Sequence, residues 1–290
     1  MLMVIYMKKI LFIFCPALVL TTVVVIALFN YTEPKGQQVP VLTYHHFLSE
    51  EEIKYFNNNE NYAVSDKTFN EQMKYLYDLG YKSITLDELH CWKEKKCEIP
   101  EKSFVITIDD GLTSAHQYAE QILEKYGFNA VLFTISSRVE DTTAEWDSQS
   151  YNYIGQDILN KSVKTIDIQS HSHDLHHYEE KLKAIEFFSK KQIEEDVKKT
   201  REILNAEYLS YPYNTYNKYI FDSLEENNFK LAFRGTNHKT FRNEPKYMIS
   251  RIHISNDMEQ FKEIFEGNKY DQTLKDKIMS FLLYIKKLFF

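Results

Sequence analysis

Cysteine is scarce in this sequence: three in 290 residues, too few for a disulfide scaffold. Basic charge is not in excess either, and a formal net charge of -7 with a pI near 5.8 argues against a nucleic-acid binder. No repeat with a period of roughly 20 to 50 residues is visible. What is present is apolar and aromatic: 43% hydrophobic and 15% aromatic residues can bury a sizeable core, in one large domain or two small ones. The chain is not of a disordered type.

The one long uncharged run, Ile10 to Phe29, follows Lys8 and Lys9 and is closed by Asn30-Tyr31-Thr32-Glu33. As a helix it measures about 30 Å, enough for a bilayer, and the preceding lysines put the N-terminus inside and the rest outside. It reads as an uncleaved anchor or as a signal peptide, whose apolar region is normally about 7–15 residues. Either way the working domain is exported. Cys15 lies inside this run with no lipobox-like residues before it. Cys91 and Cys97 form either a short-loop disulfide or two free thiols.

Beyond a linker with Pro34 and Gly36, compact apolar runs alternate with helical periodicity. Strands are expected at Val39–Tyr44, Ser83–Leu86, Phe104–Ile108, Ala130–Ile135, Thr165–Ile168, Tyr208–Tyr211, Phe229–Phe233 and Tyr247–Ile254. Helices are expected after Ser65, ending at Gly80; from about Ser114 to Tyr126, closed by Gly127; after the Ser189/Gln192 capping box; near Tyr219–Glu226; and near Met258–Phe265. This order predicts an α/β fold with a parallel sheet, and seven or eight strands favour a barrel. From Ser136 to Asn160 the periodicity is lost, which reads as a long loop bordering a site. The segment Leu274–Phe290 mixes lysines with apolar residues and suits either the membrane surface or packing on the domain.

Three strand ends carry chemistry, and in parallel α/β folds ligands gather there. Asp109-Asp110 ends an apolar strand, before Gly111; adjacent carboxylates repel, although an Asp-Gly turn is the plain alternative. The stretch His171-Ser172-His173-Asp174-Leu175-His176-His177 holds four of the ten histidines, and one Asp with two His is a donor set for a catalytic zinc. At Tyr211-Pro212-Tyr213-Asn214, proline fixes the backbone and can aim the next N–H into a cleft.

These residues resemble the polysaccharide deacetylases, the NodB-homology group of carbohydrate esterase family four. Thr107-Ile108-Asp109-Asp110-Gly111 is similar to their Thr-Phe-Asp-Asp-Gly motif. The histidine cluster is similar to the second motif, and Ser210-Tyr211-Pro212-Tyr213 to the Arg-x-Pro-Tyr third, with Ser210 where the arginine would stand. Val39-Pro40-Val41-Leu42-Thr43-Tyr44-His45-His46 resembles the opening strand of such domains. The resemblance implies a distorted (β/α) barrel of about seven units over residues 39–267, preceded by a signal or anchor at 1–30 and a linker at 31–38, and followed by an amphipathic tail at 268–290.

It also implies roles. Asp109 would be the general base, with Asp110, His171 and His176 holding a divalent metal, zinc or else cobalt or nickel; His173 and His177 are substitutes for His176. Tyr213 would serve the oxyanion through its N–H, and His253 would be the general acid. Apart from the resemblance, Arg251 and Arg234 are candidates to orient a carboxylate, and His45 and His46 either line the cleft or, as strand-end histidines more often do, serve the structure. The five-residue spacing from His171 to His176 resembles the branch acting on poly-β-1,6-N-acetylglucosamine. The expected function is therefore a hydrolase at a bacterial cell surface, anchored or secreted, that removes N-acetyl groups from such a polymer. Peptidoglycan or chitin oligomers are alternative substrates, and a non-catalytic tethered glycan-binding domain is the alternative class. No nucleic-acid partner is expected.

Overall fold

Residues alternate strictly along the strands of this computed structural model, which describes residues 36–56, 62–161 and 165–289. In β1 (Val41–Tyr44), β2 (Ser103–Ile108) and β3 (Ala130–Thr134), the side chains Val41, Val105, Val131 and Phe133 share one buried cluster, whereas Leu42, Phe104, Ile106 and Leu132 belong to another. The first set fills the inside of a barrel; the second faces the helices. Both faces are thus apolar, as a parallel sheet covered by helices requires.

The ring is completed by β4 (Ile166–Ser170), β5 (Tyr208–Ser210), β6 (Leu231–Gly235) and β7 (Ile249–His253), each parallel to its sequence neighbour, with β7 pairing back onto β1. The expected seven-stranded closed barrel is what forms. It is distorted: β4 and β5 meet through a single register pair, Leu209 with Ser170. An eighth short strand, Lys82–Ser83, only extends the outside edge of β2.

The expected helices are α1 (Asp66–Asp78), α3 (Glu120–Tyr126), α4 (Lys190–Leu204), α5 (Lys218–Glu226) and α6 (Met258–Glu266). Ser65 caps α1 through Thr68 N, and Gly127, at φ 67°, ends α3 in the left-handed region that glycine tolerates. Four details differ from expectation. Pro40, which donates nothing, breaks the first strand after Gln38–Val39, a pair that joins Thr240–Phe241 instead. The strand expected at Ser83–Leu86 stops at Ser83, because Thr85 and Glu88 form a capping box that starts α2 (Leu86–Lys93). The first turns of the helix expected from Ser114 form a π-helical segment, Ala115–Ala119. Inside the long loop stand a turn at Ser136–Arg138 and a short helix at Gln156–Leu159.

Helix α2 plugs the N-terminal end of the barrel. Its Leu86, Leu89 and Trp92 join the interior cluster, and truncating Trp92, 1% exposed, to alanine would cost about 3–5 kcal/mol. Cys91 and Cys97, with Cα atoms 5.5 Å apart, form a disulfide at the end of this helix. The tail forms α7 (Leu274–Phe289), docked along one side beside α5, with Leu283 and Tyr284 against the cluster built on β5 and β6. The apolar run expected as an anchor or signal, with Cys15, lies outside the described residues. Among the described residues, no helix is long and apolar enough to cross a membrane.

Candidate active site

With α2 closing one end, the C-terminal ends of the strands open into a cleft of about 800 Å³. The inward alternation of each strand decides what reaches it. Thr43 continues Val41, Asp109 continues Val105 and Thr107, His171 follows Gln169, and Arg251 with His253 continues Ile249. Apolar layers at the plugged end therefore give way to a charged layer at the mouth.

Asp109 is 3% exposed, and both its oxygens are engaged. Arg251 donates from Nη1 to Oδ1 and from Nη2 to Oδ2, each at 2.7 Å, while the Ser210 hydroxyl donates to Oδ2 at 3.2 Å. The same guanidinium reaches the hydroxyls of Thr107 at 3.0 Å and Ser210 at 2.7 Å. Burial alone would raise the Asp109 pKa, but the Arg251 charge and then His171 outweigh it and hold the carboxyl far below its usual range. The missing arginine of the third motif is thus answered by one from β7, and a residue as small as Ser210 leaves room for it. Of the two arginines expected to orient a carboxylate, Arg251 holds Asp109; Arg234 points outward, to the Met248 carbonyl and Glu244.

Asp110 breaks the alternation. Its φ of 76° is left-handed, unusual for a residue with a side chain, and turns its carboxylate toward the histidines. Gly111, also left-handed, is required by space, since a Cβ there would stand 2.8 Å from Thr134 Cγ2. Asp110 Oδ1 lies 3.6 Å from His171 Nε2 and 3.3 Å from His176 Nε2. Burial would raise its pKa, but the His176 hydrogen bond and the nearby His45 bring it to about 2.

His171 Nδ1 sits 2.9 Å from the Ser210 carbonyl oxygen, which only accepts, so the proton is on Nδ1 and the Nε2 lone pair faces Asp110. Burial pushes its pKa down to about 4, so the ring is neutral near pH 7. A lone pair turned on a carboxylate is repulsive unless a cation lies between them. Ligands held about 2.0–2.2 Å from a tetrahedral metal stand roughly 3.3–3.6 Å apart, the spacing of Asp110 from each histidine here, and all three donors lie within 4.8 Å of one another. Together with the backbone acceptor on the far ring nitrogen, this donor set fits a zinc-type ion.

The spacing of the two histidines has a packing cause. Leu175, where a four-residue spacing would put the second donor, is 2% exposed and belongs to the core beside Ile193 and Val197. The loop is pinned from α4, where Asp196 accepts from the backbone N–H groups of His173 and Asp174, and from the long loop, where Arg138 donates to the His176 carbonyl. His173 turns to Ser136, and His177 to Asp174 and the Phe187–Phe188 pair, so neither joins the donor cluster.

Tyr213, at φ 52°, lines the cleft with its ring 4.4 Å from those of both His176 and Tyr178. His253 is also in the cleft, on the opposite rim, with its ring 5.6 Å from His45 and 5.5 Å from Tyr62. His45 lines the cleft as well, close enough to help lower the pKa of both Asp109 and Asp110. His46 also lines the cleft but is held structurally: it is buried, bonded to the Ser114 hydroxyl, and its pKa is pushed down to about 4 by burial. The signal for Arg251 was its position two residues before His253 on one strand face. The long loop does border the cleft, through Arg138, Tyr151 and Tyr153.

Residues 96–232 match the family model described as polysaccharide deacetylase. The chain is 28% identical over 207 residues to the poly-β-1,6-N-acetyl-D-glucosamine N-deacetylase of Staphylococcus epidermidis, covering 68% of this chain and 70% of that one. A Staphylococcus aureus protein of the same name is 29% identical over 220 residues, 73% of this chain and 72% of the other. Among solved structures, the Streptococcus pyogenes deacetylase PplD superimposes with a TM-score of 0.64 at 20% identity, over 85% of this chain and 99% of that one. IcaB from Ammonifex degensii gives 0.63 at 21% identity, over 79% and 96%. These last two speak to the fold. The chain therefore carries the NodB-type polysaccharide deacetylase domain that its motifs resemble, and its enzyme class is polysaccharide N-deacetylase.

Proposed function

We propose that the domain removes N-acetyl groups from the N-acetylglucosamine units of an extracellular polysaccharide, β-1,6-linked, using a divalent metal such as zinc, and that it works at a bacterial cell surface. The observation that carries this reading is the pairing, at one cleft mouth, of the Asp110, His171 and His176 donors with a separately clamped carboxylate, Asp109. The names of the staphylococcal relatives and the five-residue histidine spacing support the β-1,6 linkage.

A divalent ion held by Asp110, His171 and His176 would polarise a water molecule and the acetamide carbonyl. Asp109 accepts the proton as the water oxygen bonds to the acetyl carbon, and Arg251 keeps that carboxylate ionised and aimed. The Tyr213 N–H donates to the oxyanion. As the C–N bond breaks, His253 gives the amine its proton, with His45 beside it on the same rim, and acetate leaves. The Tyr213 and Tyr178 rings, 4.4 Å apart and tilted by 51°, offer a sugar an apolar face.

The test is acetate release from β-1,6- and β-1,4-linked N-acetylglucosamine oligomers, with and without chelator. Release from the β-1,6 series, abolished by chelator, is expected. Release from β-1,4 oligomers alone would overturn the linkage, and no release with zinc, cobalt or nickel supplied would overturn the enzyme reading.

A further inference from the structure

Helix α7 has two unlike faces. On the docked one, Ser280 accepts from Arg234 Nη2 at 2.5 Å, the Lys277 ammonium sits 4.8 Å over the Phe241 ring, and Leu283 with Tyr284 packs on the domain. At about 100° per residue, Leu274, Lys275, Ile278, Met279, Leu282, Ile285 and Lys286 fall in one stripe roughly 140° wide on the other side. Leu274, Met279 and Leu282 are each more than half exposed, at 55%, 57% and 52%. The stripe is apolar with an exposed lysine near each end, and it contains no acid; Asp276 lies outside it and caps the helix through Thr273. A solvent-facing helix side in a water-soluble surface would carry the reverse pattern.

We infer that this outward stripe of α7 lies on the surface of a lipid bilayer. Where the chain enters the domain supplies the partner. The uncharged run ends at Phe29, and only residues 30–37 separate it from Gln38, a reach of roughly 28 Å at most. Gln38 accepts through Oε1 from the Gln272 N–H at 2.8 Å, two residues before α7 begins. The entry point and the start of α7 are therefore one patch, and on the anchor reading of the uncharged run that patch would be held near the bilayer. At 16 residues, about 24 Å, α7 is too short to span and has the composition of a helix lying in the interface. Lys275 and Lys286 complement anionic headgroups. This inference stands apart from the deacetylase reading.

The experiment uses the full chain in vesicles containing phosphatidylglycerol and brominated phosphatidylcholine. Tryptophan is placed in the stripe by Leu282→Trp and, as a control, on exposed α4 by Glu195→Trp, with wild-type emission as background. The Leu282→Trp signal is expected to lose most of its intensity to the bromines and to recover partly when neutral lipid replaces phosphatidylglycerol, while Glu195→Trp is unaffected. Equal, water-exposed emission from both variants would overturn the proposal. So would a shielded Leu282→Trp signal that does not respond to bromine, which would mean that protein covers the stripe. An unchanged melting temperature for Leu282→Trp shows that the fold is intact.

Discussion

Two adjacent residues of β7 serve two buried arginine–carboxylate pairs on opposite sides of the barrel wall. Arg251 faces inward and binds Asp109 with a two-pronged grip inside the cleft. Ser250 faces outward and donates to Glu244, which also accepts from Thr240 and Gln272 and lies 3.5 Å from Arg234. Both pairs are almost fully buried. The inner pair lines the cleft, whereas the outer is bound wholly within the protein, to Thr240, Met248 and Ser250 of the wall and to Gln272 and Ser280 of the C-terminal segment. Burial of an ion pair is thus no mark of function; an opening onto a cavity beside metal-type donors is.

The sharpest way to break this contrast is at the carboxylates. Asp109→Asn should lower kcat about 10²–10⁴-fold, as expected for losing a general base. Asp110→Ala should lower activity as strongly and also remove the metal, read by elemental analysis; unchanged metal content would refute its assignment. On the outer side, Glu244→Gln should leave kcat unchanged yet cost about 3 kcal/mol, seen as a Tm lower by roughly 6–12 °C.

A second contrast concerns where the arginine comes from. Ser210→Arg alone crowds a second guanidinium against Arg251 and should reduce kcat on the order of tenfold or more. Combining it with Arg251→Ser should restore part of that loss, because the charge reaches Asp109 from β5 instead. No recovery in the double variant would show that the position on β7 is itself required.

The smallest effect is a pH slope. Lys93, buried while donating to the carbonyls of Phe241, Arg242 and Glu244, has its pKa lowered by burial to about 8. The unfolded lysine titrates near ~10.5, so between those values the unfolded chain binds more protons and stability rises with pH. Lys93→Met should flatten that rise in urea melts run across the window.

The sequence made the barrel legible because apolar runs and capping residues are local signals. Ser65, Gly127 and the Ser189/Gln192 box mark helix ends without any knowledge of the fold. Helix α2 was hidden because Ile84 and Leu86 alternate as in a strand, and the Thr85/Glu88 box overrode that pattern. At the site, Asp109, Asp110 and His171 declare themselves at strand ends, and Leu175 in the core explains the displaced His176. The grip of Arg251 on Asp109 could not be read from the sequence, since it joins residues 142 apart through barrel closure. The roles of His45 and Arg138 depend in the same way on which loops the closed ring brings to its mouth.

The most direct test of the central claim, that Asp109 does the proton chemistry while Asp110, His171 and His176 hold the metal, is to measure bound metal and acetate release together in Asp109→Asn. The account predicts metal content equal to wild type with acetate release from β-1,6 oligomers nearly abolished. Metal lost along with activity, or activity retained, would contradict it.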